Sequence, residues 1–282
     1  EPGSVGKVIS MSGYLQMGLH KMSDQLSVPD HITQEGQTYK DSFDHGTERW
    51  TLAGILQNSS NVGMIMAGEN YPDEQRYEYL TKFGIGQPTG LNLPGESSGL
   101  LTNPSAWDLR TRNTILFGQG YTVNALQLNN VVATIANKGV KQQQSIIKST
   151  TDANGKTTET KKGEATRVVD EKVASDMMNA MESVAEGYNK FVKVDGYRMA
   201  AKSGTAEVQG SDGTLSSIIS DYSVVIPVDN PRYAVTVVMK DPNGVFGGLT
   251  AGPVSAQICE FLMQKYEVPV SGPRKNAIPV TW

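Results

Sequence analysis

The sequence predicts an α+β fold: an antiparallel sheet flanked by helices and joined to a helical subdomain. Three observations lead there. Apolar residues recur at helical spacing through most of the first 190 or so positions. Three strand-like runs then follow one another, at 197–208, 221–228 and 232–240, and the last two are separated by the turn Asp229-Asn230-Pro231. Finally, a helix expected to start at Pro253 offers Val254, Ile258, Phe261 and Leu262 to cover one face of that sheet. The chain thus divides into a mainly helical part, roughly 1–190, and a sheet with its C-terminal helix, 191–270.

Taken in order, Pro2 and Gly3 mark a turn into a helix over 4–18, although Gly6 and Gly13 each weaken it by about 1 kcal/mol relative to alanine. Residues 19–50 are polar and irregular. Residues 51–68 read as two apolar helical runs interrupted by a polar knot at Asn58–Asn61, whose side chains need partners or line a cleft. An amphipathic helix is expected over 73–86, closed by glycine, and loop or short strand over 88–101. The segment 124–139 carries Leu128, Val131, Val132 and Ile135 on one helical face. Asn154-Gly155 between β-rich arms signals a hairpin within 145–162, and 169–186 reads as another helix. No internal repeat is present. Three strands make a thin sheet for a chain of 282 residues.

The bulk numbers exclude several functions. Hydrophobic content of 38% and charged content of 19% fit a packed core rather than a disordered chain. The net charge is −4 and no long Lys/Arg run occurs, which leaves no electrostatic footprint for nucleic acid. No apolar run approaches the roughly 18 residues of a membrane helix. Cys259 is the single cysteine, so no disulfide forms within the chain. His20, His31 and His45 are scattered without metal-ligand spacing and read as structural or solvated; neither a metal nor an organic cofactor is expected. The first residue is Glu1, with no signal-peptide pattern, which predicts a chain that begins inside a larger protein.

Three polar clusters stand out: Ser4-Val-Gly-Lys7, Ser59-Ser60-Asn61 and Lys202-Ser203-Gly204-Thr205. On a helix, Ser4 and Lys7 share a face one turn apart, so a neutral lysine could take the serine proton. Free lysine titrates near 10.4 and would have to be lowered by burial or by a nearby cation, which Lys202 could supply. Ser59 could relay a proton and Asn61 could hold a substrate amide. On a strand, Lys202 and Gly204 point to one face, where glycine would leave room for a substrate backbone. Each cluster alone arises by chance. The three in this order, on helix start, inter-helix knot and strand, form the S-x-x-K, S-x-N, K-[ST]-G set of serine acyl-transfer enzymes.

With "EPGSVGK", "SSNVGM", "KFGIGQPTGLNLPGESSGLL", "FGQGYTVNALQLNNVVATIANKGV", "YRMAAKSGTAE" and "DNPRYAVTVVM", nearly the whole chain resembles the class B penicillin-binding proteins, most closely the septal, FtsI-type peptidoglycan D,D-transpeptidases. "HGTERWTLAGILQNSSNVG" points to actinobacterial members. The resemblance implies the transpeptidase fold shared with serine β-lactamases, an α/β sandwich. It makes Ser4 the acylated nucleophile, Lys7 its base, Ser59 the proton shuttle and Asn61 the binder of a substrate amide. Lys202 shapes the cleft's field, Ser203 and Thr205 bind a carboxylate beside Gly204, and the backbone N–H groups of Ser4 and Thr205 form the oxyanion hole. Donor and acceptor stem peptides of peptidoglycan and β-lactam antibiotics are the implied ligands. A divisome glycosyltransferase and other division proteins are the implied partners, at the extracytoplasmic face of the bacterial membrane.

Two departures from the family pattern are Val5-Gly6 within the first motif and Asn124-Ala125 where Thr-Pro is frequent. Family members also carry strands and a helix of this domain, a pedestal and a membrane anchor before the nucleophile. The chain is therefore expected to lack the first elements of its domain. A class A β-lactamase would need a deacylating glutamate, and Glu78 and Glu96 lack that context. A β-lactam sensor would share the motifs and be acylated without transferring the acyl group. A non-catalytic division scaffold would have no need of all three motifs intact.

Overall fold

The computed structural model describes residues 1–161, 163–209 and 215–282. A 3-10 turn, Gly3–Val5, runs straight into α1 (Gly6–Gln16), so the helix expected over 4–18 starts as a tighter coil. The stretch expected to be irregular holds four short strands, β1 (Gln25–Val28), β2 (His31–Gln34), β3 (Gln37–Lys40) and β4 (Glu48–Thr51), paired β1–β4 and β2–β3. Four residues per strand are too few for an alternating pattern to stand out from polar sequence.

The polar knot resolves as a helix stop and a helix cap. Thr51 caps α2 (Leu52–Gln57) and Ser60 caps α3 (Asn61–Ala67), each accepting the N–H three residues on. Next come α4 (Asp73–Lys82) and α5 (Leu109–Thr114). The departure at Asn124 has a local reason. Its side chain and that of Gln127 form a capping box at the start of α6 (Ala125–Ala136), and the Gln127 amide also donates to the carbonyls of Gly84, Gln87 and Ser98. After β5 (Val140–Gln142), the expected hairpin forms around Asn154-Gly155 as β6 (Ser149–Thr151) and β7 (Thr157–Glu159); Lys162, at the end of the expected segment, lies outside the described residues. Then β8 (Ala165–Arg167) pairs with β5, and α7 (Glu171–Gly187) follows.

The main sheet is antiparallel in the order β11-β10-β9, from β9 (Ala200–Gln209), β10 (Leu215–Ile226) and β11 (Tyr233–Lys240). The connection at 210–214 lies outside the described residues. The last helix, α8, spans Gly247–Lys265, six residues longer at its start than expected from Pro253, which sits inside it.

Its buried face also differs from the expected one. Ala251, Ser255, Cys259 and Met263 are buried against the sheet, whereas Ile258 and Phe261 are exposed and Val254 and Leu262 only half-buried. Small residues win the sheet side because the helix lies close to the strands: a Cβ at Gly252 would stand 3.5 Å from Tyr222 Cδ2, and one at Gly247 would collide with the carbonyls of Asp221 and Gly204. The larger side chains are left on the outer face.

Two apolar clusters result. One gathers the helices around α1 and reaches the sheet through Ala200 and Val225; the other joins the opposite sheet face, through Ala201, Tyr222 and Val224, to α8. The beginning of α1 and strand β9 meet where the first cluster borders the sheet. No helix among the described residues is long and apolar enough to cross a membrane.

Candidate active site

The start of α1 is held by glycines that admit backbone on two sides. Gly3 has φ +52°, and a Cβ there would stand 2.8 Å from the Thr205 nitrogen on β9. Gly118, at φ +93°, closes a turn on the other side: a side chain there would collide with the Gly3 carbonyl, and one at Gly6 would stand 2.5 Å from Gly118 Cα. Ser4 is therefore fixed between β9 and the Phe117-Gly118 turn, although it lies near the chain start.

All three clusters converge there. Lys7 Nζ stands 2.7 Å from Ser4 Oγ, 2.7 Å from Asn61 Oδ1, 3.0 Å from the Ser59 carbonyl and 3.4 Å from Ser59 Oγ. Lys202 Nζ donates to Ser59 Oγ at 2.9 Å and to the Ser203 carbonyl at 3.2 Å. Ser59 thus bridges two amines that come from opposite walls of the site. It can do so because it is a non-glycine residue at φ +56°, which turns both its oxygens toward the lysines.

Both lysines are wholly buried. Burial, and after it the charge of Lys202, hold the Lys7 amine well below the usual lysine range, while Asp41 acts in the opposite direction. Burial likewise lowers Lys202 to about 7, opposed by Asp221. The order of causes matters. The sequence pointed to burial or a neighbouring cation, and both act, burial most strongly.

Strand alternation corrects the expectation for Gly204. It does share a face with Lys202, but that face is packed: a Cβ at 204 would collide with the Asp221 carboxylate and stand 2.5 Å from the Pro2 carbonyl. Glycine here lets the segment before Ser4 approach β9 rather than opening room for substrate. Asp221 itself is buried with no hydrogen-bond partner among the described residues, and burial pushes its carboxyl up to about 8. The hydroxyls lie on the other face. Ser203 Oγ is 3.1 Å from Tyr188 Oη, and Thr205 Oγ1 accepts the Gly247 N–H at the start of α8 at 3.2 Å. An anion there would meet two hydroxyls and the positive end of a 19-residue helix.

Sequence reasoning missed the residues that hold the second cluster. Asp41, in the stretch read as irregular, accepts the backbone N–H groups of Asn61 and Val62 and the Ser60 hydroxyl. The Lys40 carbonyl accepts from Asn61 Nδ2 at 3.2 Å. Tyr188 was equally unmarked. Nothing in spacing or composition singles these residues out, because their partners are remote in sequence. No group of three or more potential metal ligands lies together among the described residues.

The same arrangement has relatives. A sequence profile of the penicillin binding protein transpeptidase domain matches residues 1–260. Peptidoglycan D,D-transpeptidase FtsI of Escherichia coli K12 is 34% identical over 92% of this chain and 42% of its own length. Among solved structures, a peptidoglycan synthetase from Bifidobacterium adolescentis is 68% identical with TM-score 0.96, over all of this chain and 52% of that one. Penicillin binding protein 3 of Mycobacterium tuberculosis complexed with ampicillin is 31% identical with TM-score 0.91, over all of this chain and 66% of that one. The likeness to actinobacterial members read from the sequence is matched by the last two. The chain spans less than half the length of the curated relatives it matches first. By fold, by the profile that runs through all three clusters and by these likenesses, it belongs to the penicillin binding protein transpeptidase domain family.

Proposed function

We propose that this chain is the acyl-transfer domain of a septal peptidoglycan D,D-transpeptidase, with Ser4 as nucleophile. The observation that carries the proposal is a buried, weakly basic Lys7 amine 2.7 Å from Ser4 Oγ. A neutral amine has two N–H bonds and one lone pair. Asn61 Oδ1 and the Ser59 carbonyl accept the two protons, and the lone pair is left for the Ser4 hydroxyl.

Ser4 Oγ bonds to the carbonyl carbon of a penultimate D-Ala while its proton passes to Lys7. The Ser4 and Thr205 N–H groups receive the developing oxyanion. Collapse breaks the bond to the terminal D-Ala, whose nitrogen takes the proton from Lys7 through Ser59. The amine of a neighbouring stem peptide then attacks the acyl-enzyme and returns a proton to Ser4, leaving the cross-link. Asn61 keeps its second amide proton for a substrate carbonyl, Lys202 supplies positive field, and Ser203 and Thr205 bind the substrate carboxylate. With a β-lactam the ring amide opens on Ser4 and the leaving amine stays tethered, so the adduct persists.

The reading extends to the whole protein as follows. It acts at the extracytoplasmic face of the membrane beside a divisome glycosyltransferase. The helical part, 1–190, and the sheet part, 191–270, form one transpeptidase domain to which further strands are added. The free edge of β11 among the described residues and the apolar outer face of α8 support that addition. Mass spectrometry after incubation with benzylpenicillin tests the central step. A lasting adduct on the peptide containing Ser4, absent from Ser4→Ala, is expected; full labelling of the variant would overturn the assignment. Turnover of a D-Ala-D-Ala donor with an acceptor amine then separates a transpeptidase from a sensor.

A further inference from the structure

The carboxyl of Asp41 is buried to 1% of its side-chain surface and has four partners. One oxygen accepts the Asn61 and Val62 N–H groups at 2.6 and 3.0 Å; the other faces the Ser60 hydroxyl at 2.6 Å and His45 Nε2 at 3.1 Å. His45 is itself enclosed, with Phe43 and Trp50 rings 5.1 and 5.0 Å away and the Gly46 carbonyl on Nδ1. The residue whose backbone Asp41 grips is the one whose side chain reaches Lys7, and Lys40, next to Asp41, takes the other end of that side chain. The segment at the end of a surface hairpin is thereby wired to the catalytic amine through the Asp41 carboxylate and the Lys40 carbonyl.

We infer that Asp41, tied to His45, is a positioning residue for acylation: it holds the α3 turn that places Asn61 on Lys7, and its charge faces the same buried amine. The inference rests on the reading of Lys7 as the base of Ser4. Lys7 faces Lys202 from β9, Asp41 from the β3–β4 connection, the Phe117 ring 5.8 Å away, and the neutral oxygens of Ser4, Ser59 and Asn61. Its two charged neighbours pull in opposite directions. Asp41 raises its proton affinity and Lys202 lowers it. His45 modulates the first. Burial alone would lower its pKa, but the hydrogen bonds to Asp41 and Gly46 and the charges of Asp41 and Asp30 outweigh burial and raise it. Protonated, it offsets part of the Asp41 charge.

The test is the acylation rate constant with a fluorescent penicillin, followed against pH. The rate falls on the acid side as Lys7 gains its proton. Asp41→Asn keeps an oxygen for the two N–H groups but removes the charge, so the acid limb should move to lower pH with a plateau within about tenfold of the parent. Asp41→Ala frees the turn as well and should lower the plateau by about a hundredfold. His45→Gln removes a positive charge and should move the limb the other way, to higher pH. A packing role would change stability and plateau without limb shifts of opposite sign. Folded variants with the parent's limb, or limbs that move together, would overturn the inference. Should both Asp41 variants fail to fold by circular dichroism, the His45→Gln limb decides: an upward shift supports the inference and none overturns it. A parent that is never acylated at Ser4 would instead sink the functional reading beneath it.

Discussion

The two walls of the site are built differently. On the helical wall, Ser4, Lys7, Ser59 and Asn61 are locked to one another by contacts of 2.7–3.4 Å, and Asp41 locks their support. On the strand wall, Lys202 points inward to join that network, while Ser203 and Thr205 point the other way toward α7 and α8. Alternation along one strand thus separates the two roles proposed above: Lys202 faces the lysine network, and the outward hydroxyls are the ones assigned to the ligand. Substitutions on the two walls should therefore fail in different ways.

The strongest loss belongs to the helical wall. Lys7→Ala should cut penicillin acylation by about 10²–10⁴-fold, the usual weight of a proton-transfer group, with the fold retained. Acylation at the parent rate would make Lys7 a structural residue only. On the strand wall, Thr205→Val should weaken acylation by about tenfold, as expected for one hydrogen bond to a charged group. That loss should vanish against a β-lactam whose carboxylate is masked as an ester. An equal loss with the ester would place Thr205 in the chemistry instead.

How much of this was legible in the sequence differs between the walls. The three clusters carry their residue types in order, so the contacts among Ser4, Lys7, Ser59, Asn61 and Lys202 follow from reading them jointly. The main helices and the three long strands were legible because their apolar periods run for eight residues or more. The Gly204 face was misread because alternation says which residues share a face but not which face is covered. Asp41 was invisible because its partners in the second cluster lie about 20 residues away, and its own segment has no period. On α8 the large apolar residues mark the outer face, because close helix–sheet contact selects the small ones for the buried side.

That last correction gives the mildest changes, on stability rather than activity. Cys259→Leu, on the buried face of α8, should destabilise by about 1–3 kcal/mol through overpacking. Phe261→Ser, on the outer face, should stay within about 0.5 kcal/mol. Thermal unfolding compares the two, and the opposite ranking would restore the face expected from the sequence.

The mechanism depends above all on burial and a cation from the strand wall together keeping the helical wall's Lys7 neutral beside Ser4. Lys202→Gln removes that cation and keeps a donor for Ser59. With the depressing charge gone, Lys7 regains proton affinity and is neutral only at higher pH. The pH dependence of penicillin acylation, compared between the parent and Lys202→Gln, reads this out directly. The acid limb of the variant should move to higher pH; a limb that stays in place or moves to lower pH would contradict the electrostatic role given to Lys202.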